Sequence, residues 1–271
     1  MLFPRRLLPC LLIAAVAGLA ATHARAGRHC EEGAPTVSSI RQGMALAQRT
    51  SEALDAEHAR SGARVVLLAR AGQDLSKYQL RYSHVGWVYK TAEGPWRVMH
   101  KLNQCGTAQS ALYRQGLGEF FLDAPWRYEA SWVVPVPALQ AKLHDALTDP
   151  LRQRALHAPA YSMVSYAWGQ RYQQSNQWAV EWMAAALEPG VHSREQAQAW
   201  MRFKGYEPTP LRLGALTRLG GRVARANVAF DDHPNDKRFS DRIETVTVDS
   251  LWQWLPRAGL ASEPRVLVGG A

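Results

Sequence analysis

Tyr82-Ser83-His84-Val85-Gly86-Trp87-Val88-Tyr89, followed by Glu93-Gly94-Pro95 and then Trp96-Arg97-Val98-Met99-His100-Lys101-Leu102, reads as two strands joined by a turn. Side chains alternate across a strand, so Val85, Trp87 and Tyr89 point one way and Tyr82, His84, Gly86 and Val88 the other. On the returning strand Trp96, Val98, His100 and Leu102 share a face. Two neighbouring strands therefore carry one histidine each.

Outward from this pair, Val37 to Arg60 has Ile40, Met44, Ala47 and Leu54 at helical intervals behind Ser38 or Ser39 as N-cap. Arg64 to Ala69 is a buried strand by its aliphatic run. Tyr113 to Leu122 reads as a short helix burying Phe120 and Phe121, and Tyr128 to Val136 as a further strand ended by prolines. Leu139 to Leu156 is helical by spacing and broken at Pro150. Ser175 to Leu187 is the clearest helix, with Trp178, Ala179, Trp182, Met183 and Ala186 in one apolar stripe. Ser193-Arg194-Glu195-Gln196 is a capping box opening a helix that buries Ala197, Trp200 and Met201 and stops at Gly205. Leu211 to Leu219 is only weakly periodic, Ile243 to Val248 alternates as a strand, Asp249 caps a short helix, and the tail after Ser262 is expected to fray. With no repeat and no linker long enough to divide it, the chain is expected to be α+β: a single domain, an antiparallel sheet packed with helices.

The N-terminus carries Arg5 and Arg6, an apolar run from Leu7 to Ala20, and Ala24-Arg25-Ala26 before Gly27, the pattern of a secretory signal peptide over residues 1–26. That run is shorter than the ~20 residues that span a bilayer, and no later run reaches that length. Periplasmic or secreted localisation and a single globular domain over residues 27–271 follow as expectations. The formal charge of +9 falls to +6 when Arg5, Arg6 and Arg25 leave with the signal. The remaining bases are scattered among acids without the basic and aromatic spacing of a nucleic-acid module. Cell-envelope peptides, glycans or lipids are the expected partners, with no nucleic acid, no cofactor and no transmembrane segment after cleavage. Of three cysteines, Cys10 leaves with the signal, and Cys30 and Cys105 in an oxidising compartment suggest a disulfide. Cys105 as a reactive nucleophile is the alternative, but no helix start follows it to depress its pKa.

His84, His100 and Ser175 form the candidate catalytic set. A side chain at a helix start sits near unpaired N–H groups at the positive end of the dipole, which favours a developing anion. A strand histidine can take the proton of a nucleophile, and a second can orient the first. The bland reading makes Ser175 an N-cap and the histidines hydrogen-bonded core residues. Asp231-Asp232-His233-Pro234 is better read as a turn than as a metal site, since further ligands are missing. Trp178, Trp182 and Trp200 have core spacing, whereas Trp87 and Trp96 are the tryptophans expected to line a substrate cleft.

Tyr82-Ser83-His84-Val85-Gly86-Trp87, the Trp96 to Leu102 strand, Tyr172-Gln173-Gln174-Ser175-Asn176-Gln177-Trp178, Gln196-Ala197-Gln198-Ala199-Trp200 and Asp231-Asp232-His233-Pro234 together resemble an exported bacterial family, domain of unknown function 2145. The resemblance runs through most of the chain beyond the signal. More distantly, the arrangement is similar to the circularly permuted papain-like fold of cysteine peptidases and lecithin retinol acyltransferase-like proteins, in which a strand histidine precedes the helix that begins with the nucleophile. It implies an amide or ester hydrolase or an acyltransferase, with His84 as base, His100 as the polar residue of the next strand and Ser175 at the nucleophile position. The resembling sequences are expected to carry cysteine there, and Gln174 also departs from their pattern. A thiol can be stored as thiolate, while a serine must lose its proton during attack, so the substitution leaves an inactive envelope protein that binds a peptide, glycan or lipid as the rival reading. A structural partner in an envelope complex is the third.

Overall fold

The computed structural model describes residues 35–123 and 125–269. The expected signal peptide, and Cys30 with its expected bridge to Cys105, lie outside the described residues. In chain order the elements are α1 (Val37–Ser61), β1 (Val65–Ala71), β2 (His84–Lys90), β3 (Trp96–Asn103), β4 (Ser110–Gly116), α2 (Leu117–Phe121) and β5 (Arg127–Val133). They continue with α3 (Pro137–Thr148), α4 (Ser175–Leu187), α5 (Arg194–Phe203), β6 (Thr209–Arg212), α6 (Ala215–Ala224), α7 (Asn235–Phe239), β7 (Arg242–Thr245), α8 (Val248–Arg257) and β8 (Arg265–Val268).

Six strands form one antiparallel sheet in the order β4-β3-β2-β1-β5-β8, and β6 and β7 pair separately. β1 lies inside the sheet, and all seven of its residues are buried, as its unbroken aliphatic run requires. Alternation then splits the core in two. Val65, Leu67, Val85 and Trp87 pack with Leu143 of α3, Trp178 and Trp182 of α4, and Trp254 of α8. Val66, Leu68, Val88 and Val98 pack on the other face with Leu46 and Leu54 of α1 and Phe120 and Phe121 of α2. The result is an α+β single domain with helices on both faces of an antiparallel sheet. Among the described residues no helix is long and apolar enough to cross a membrane.

Several local readings need correction. Thr36, not Ser38 or Ser39, caps α1, and the buried stripe runs through Gly43, Leu46, Ala47, Thr50, Leu54 and Glu57, leaving Ile40 and Met44 at the surface. The segment expected to be one helix from Tyr113 is an edge strand, β4, that turns into the five-residue α2. Pairing with β3 overrode local spacing there. Thr247 rather than Asp249 caps α8. The expected fraying tail instead adds β8 to the edge of the sheet beside β5, where Ser131 Oγ donates to Arg265 O at 2.7 Å. Trp200 is only half-buried at the surface of α5, against the buried position expected. Gln174, not Ser175, is the N-cap of α4, and Ser175 is the first helical residue.

Candidate active site

Three elements meet at the amino end of α4. Asn176 Nδ2 donates to Ser83 O at 3.3 Å, and Val85 N donates to Asn176 Oδ1 at 3.0 Å. The residue after Ser175 thus latches the backbone on either side of His84. Gln174 does the capping: its Oε1 accepts from Asn176 N at 2.8 Å, and its Nε2 donates to Val246 O. Glutamine is an uncommon cap, because its longer side chain must fold back, and here the 245–247 segment holds it in place. Farther along, Trp87 Nε1 donates to Ala179 O at 2.9 Å and fastens α4 across β2.

On the sheet, His84 and His100 are both buried and their rings are linked, His84 Nε2 to His100 Nδ1, at 2.8 Å. His100 Nε2 lies 2.8 Å from Gln115 Oε1. A carbonyl oxygen only accepts, so His100 carries its proton on Nε2 and offers Nδ1 to the Nε2–H of His84. His84 is thereby left with a lone pair on Nδ1. Phe120 packs against both rings, with centroids 5.9 Å from His84 and 5.3 Å from His100. Gly86 makes this pairing possible, for a Cβ there would come within 2.5 Å of Val98 Cγ1 and 3.2 Å of His100 Cβ.

Arg70, directly across from His84 on β1, donates to Phe120 O and pairs with Asp123. Burial first, then the Arg70 cation and His100, holds His84 well below the usual imidazole range. Burial and then Arg70 push His100 down to about 3, against the hydrogen bond that His100 donates to Gln115. Both rings are neutral at pH 7. A neutral imidazole can accept a proton, which an imidazolium cannot.

His84 and Ser175 line one cleft of roughly 690 Å³ with Arg70, Tyr161, Gln174 and Asn176. No hydrogen bond joins His84 to Ser175 among the described residues; Tyr161 lines the same cleft, and burial pushes its phenol up, with Ser175 drawing it partly back. His100 stands behind His84, out of the cleft lining. Leu75, Tyr78, Leu80, Leu211, Leu213 and Phe230 make the far wall apolar. Sequence reading missed Gln115, hidden in a segment taken as helix, and Tyr161, in a stretch without periodicity.

The tryptophan expectation fails: Trp87 is buried against Trp182, Trp96 bonds Asp55 Oδ1 at 3.0 Å, and neither lines the cleft. Asp232 accepts from Tyr166 N at 2.7 Å and bonds His233 Nδ1 at 3.0 Å, so this turn pins the 162–169 loop. Among the described residues no group of three or more His, Cys, Asp or Glu side chains is arranged to hold a metal.

The family model described as "Uncharacterized protein conserved in bacteria (DUF2145)" matches residues 57–255. The chain belongs to that family. For this DUF2145 member, the match runs from the last turn of α1 to α8 and so contains His84, His100, Gln115, Tyr161 and Ser175. No curated protein and no solved structure matches the chain.

Proposed function

We propose that the cleft is the active site of an amide or ester hydrolase, or an acyltransferase, working through an acyl-serine. The carrying observation is the aligned chain from Gln115 through His100 to His84, which leaves a neutral, oriented imidazole at the cleft that contains Ser175. In this reading Ser175 Oγ attacks the acyl carbonyl carbon while its proton passes to His84 Nδ1. The Ser175 backbone N–H and the Tyr161 hydroxyl stabilise the oxyanion. His84 then gives the proton to the departing amine or alcohol; water or an acceptor alcohol, deprotonated by His84 in turn, attacks the acyl carbon, and His84 returns that proton to Ser175 Oγ as the acyl–Oγ bond breaks. A depressed histidine suits a hydroxyl, which gives up its proton only during attack, better than a stored thiolate, which needs an imidazolium. The chain order of two histidine strands before the nucleophile helix agrees with a permuted papain-like arrangement.

One observation favours the rival, a cleft that binds without turnover: Ser175 and His84 share the cleft, yet no hydrogen bond joins them among the described residues. A fluorophosphonate probe separates the two readings. Labelling of the wild type that is lost in Ser175→Ala and falls on the order of a hundredfold or more in His84→Ala supports the enzyme. An unlabelled wild type, with hydrolysis appearing only in Ser175→Cys, supports the inactive cleft. Export to the periplasm and a Cys30–Cys105 bridge belong to the same reading, and two free thiols in exported protein would overturn the bridge.

A further inference from the structure

The corner of the cleft beside His84 holds two hydrogen-bond donors without acceptors. Arg70, on β1 directly across from His84, and Ser83, the residue before it, both line the cleft together with Gly72. The Arg70 side chain is 5% exposed; Nη1 donates to Phe120 O and Nη2 to Asp123, while Nε–H has no partner. Ser83 Oγ accepts from Gly72 N at 2.9 Å, and among the described residues its own proton has no acceptor. Buried donors are nearly always met, so an unmet one in a cleft lining marks a place for a ligand atom.

Gly72 opens this corner. On the side where a Cβ would stand, Ser83 Oγ at 3.1 Å and Arg70 Nε at 3.7 Å are the nearest heavy atoms outside the adjoining residues. The space in front of Gly72 is thus bordered by the two donors, and an oxygen entering it can accept from both. Charge narrows the class: Asp123, also in the lining, already balances the guanidinium, so an uncharged carbonyl oxygen suits the corner better than a carboxylate. Asn176 Nδ2 holds Ser83 O at 3.3 Å, which places the corner at the amino end of α4, beside Ser175.

We propose that Arg70 Nε–H and Ser83 Oγ–H, over the bare Cα of Gly72, form a subsite for an uncharged carbonyl oxygen of the substrate, an amide carbonyl set back from the one that Ser175 attacks. The link to turnover rests on the acyl-serine reading above; the binding of the oxygen does not. In the Ser175→Ala protein the Arg70 Nε–H resonance is followed by NMR as N-methylacetamide or acetate is added. N-methylacetamide should move it more than acetate does, and Gly72→Ala, which fills the space, should abolish the response. The Gly72 backbone lies outside the left-handed region and so admits the methyl. Because that methyl would stand 3.1 Å from Ser83 Oγ, Gly72→Ala/Ser83→Ala gives it room and should be equally unresponsive at a wild-type melting temperature. In a wild type that turns over esters, the p-nitrophenyl ester of N-acetylglycine should exceed its isostere, p-nitrophenyl pentanoate, by about tenfold or more in kcat/KM once each is divided by its rate with hydroxide. Gly72→Ala should bring that ratio near one. A resonance that neither probe moves, one that acetate moves more, or a response that survives Gly72→Ala would overturn the subsite whatever the fluorophosphonate result, and a ratio near one in an active wild type would overturn its link to turnover. A responsive resonance in a protein that never labels supports the subsite while the acyl-serine reading fails by itself.

Discussion

His100 and Lys101 are neighbours on β3, both fully buried, and they belong to polar clusters of opposite character. Lys101 Nζ donates to Ala158 O and to Gln173 Oε1, each at 2.7 Å. Gln173 Nε2 donates to Glu181 Oε2 at 2.6 Å, Arg194 Nε to the same oxygen at 2.7 Å, and Gln198 Nε2 to Oε1 at 2.6 Å. This cluster closes on itself beneath α4. The histidine chain, pointing to the other face, is closed at Gln115 and ends at a cleft. Buried polar groups that are satisfied throughout specify a fold, whereas a chain left open toward a cavity has a proton-accepting atom to offer.

The largest expected effect comes from breaking the closed cluster. Glu181→Ala leaves the buried Arg194 guanidinium without its carboxylate and removes the charge that favours the Lys101 ammonium. Stripping one partner from a buried pair costs about 3–5 kcal/mol, which urea unfolding should register as a lower midpoint at an unchanged slope. A variant as stable as the wild type would show that the two clusters do not differ in kind.

The pH dependence of stability separates the clusters next. His100 titrates at about 3 when folded against 6.5 unfolded, and His84 is depressed in the same direction. The unfolded chain therefore binds more protons below pH 6.5, so stability is full above that pH and is lost as pH falls toward 3. Each proton is worth up to about 1.4 kcal/mol per pH unit. Lys101 titrates at about 6 when folded against 10.5, so its burial penalty is fully present below pH 6 and shrinks as pH rises toward 10.5. His100→Gln should flatten only the acid limb, leaving the share of His157, which burial and Lys101 lower to about 4. Lys101→Met should flatten the alkaline limb and, by removing the cation that helps hold His157 down, soften the acid limb slightly while leaving the share of His100 in place. Chemical unfolding from pH 4 to 10 reads both, and slopes that do not move with their own variant would dissolve the distinction.

Legibility in sequence followed the same divide. The Ser175–Leu187 helix and the hairpin containing His84 and His100 were readable because hydrophobic period and turn chemistry agree over long stretches. Edge strands were not: β4 and β8 owe their form to a partner strand distant in sequence, which local spacing does not encode. Gln115 was lost with β4. α6 was unreadable as part of a core because it has no buried face at all. Trp87 and Trp96 were misplaced because alternation gives a face and not what covers it; α4 and α1 cover those faces.

The smallest expected effect lies at Gly86, where backbone space and the histidine chain meet. An added methyl would strike Val98 Cγ1, a stiff β-branched side chain that is itself fully buried, and would press on His100 Cβ. Relief requires β2 and β3 to spread, which costs about 1–3 kcal/mol in a packed core and lengthens the contact between the two imidazoles. Gly86→Ala should therefore lower the unfolding midpoint and, if the cleft labels, slow labelling as well. Val98→Ala in the same chain opens the space the methyl needs and should restore the rate of labelling while its own cavity keeps stability low. Such a split would assign Gly86 to histidine alignment as well as to packing. Gly86→Ala with wild-type stability and labelling would mean that the strands tolerate the methyl and that the His84–His100 pairing does not depend on the bare backbone beside it.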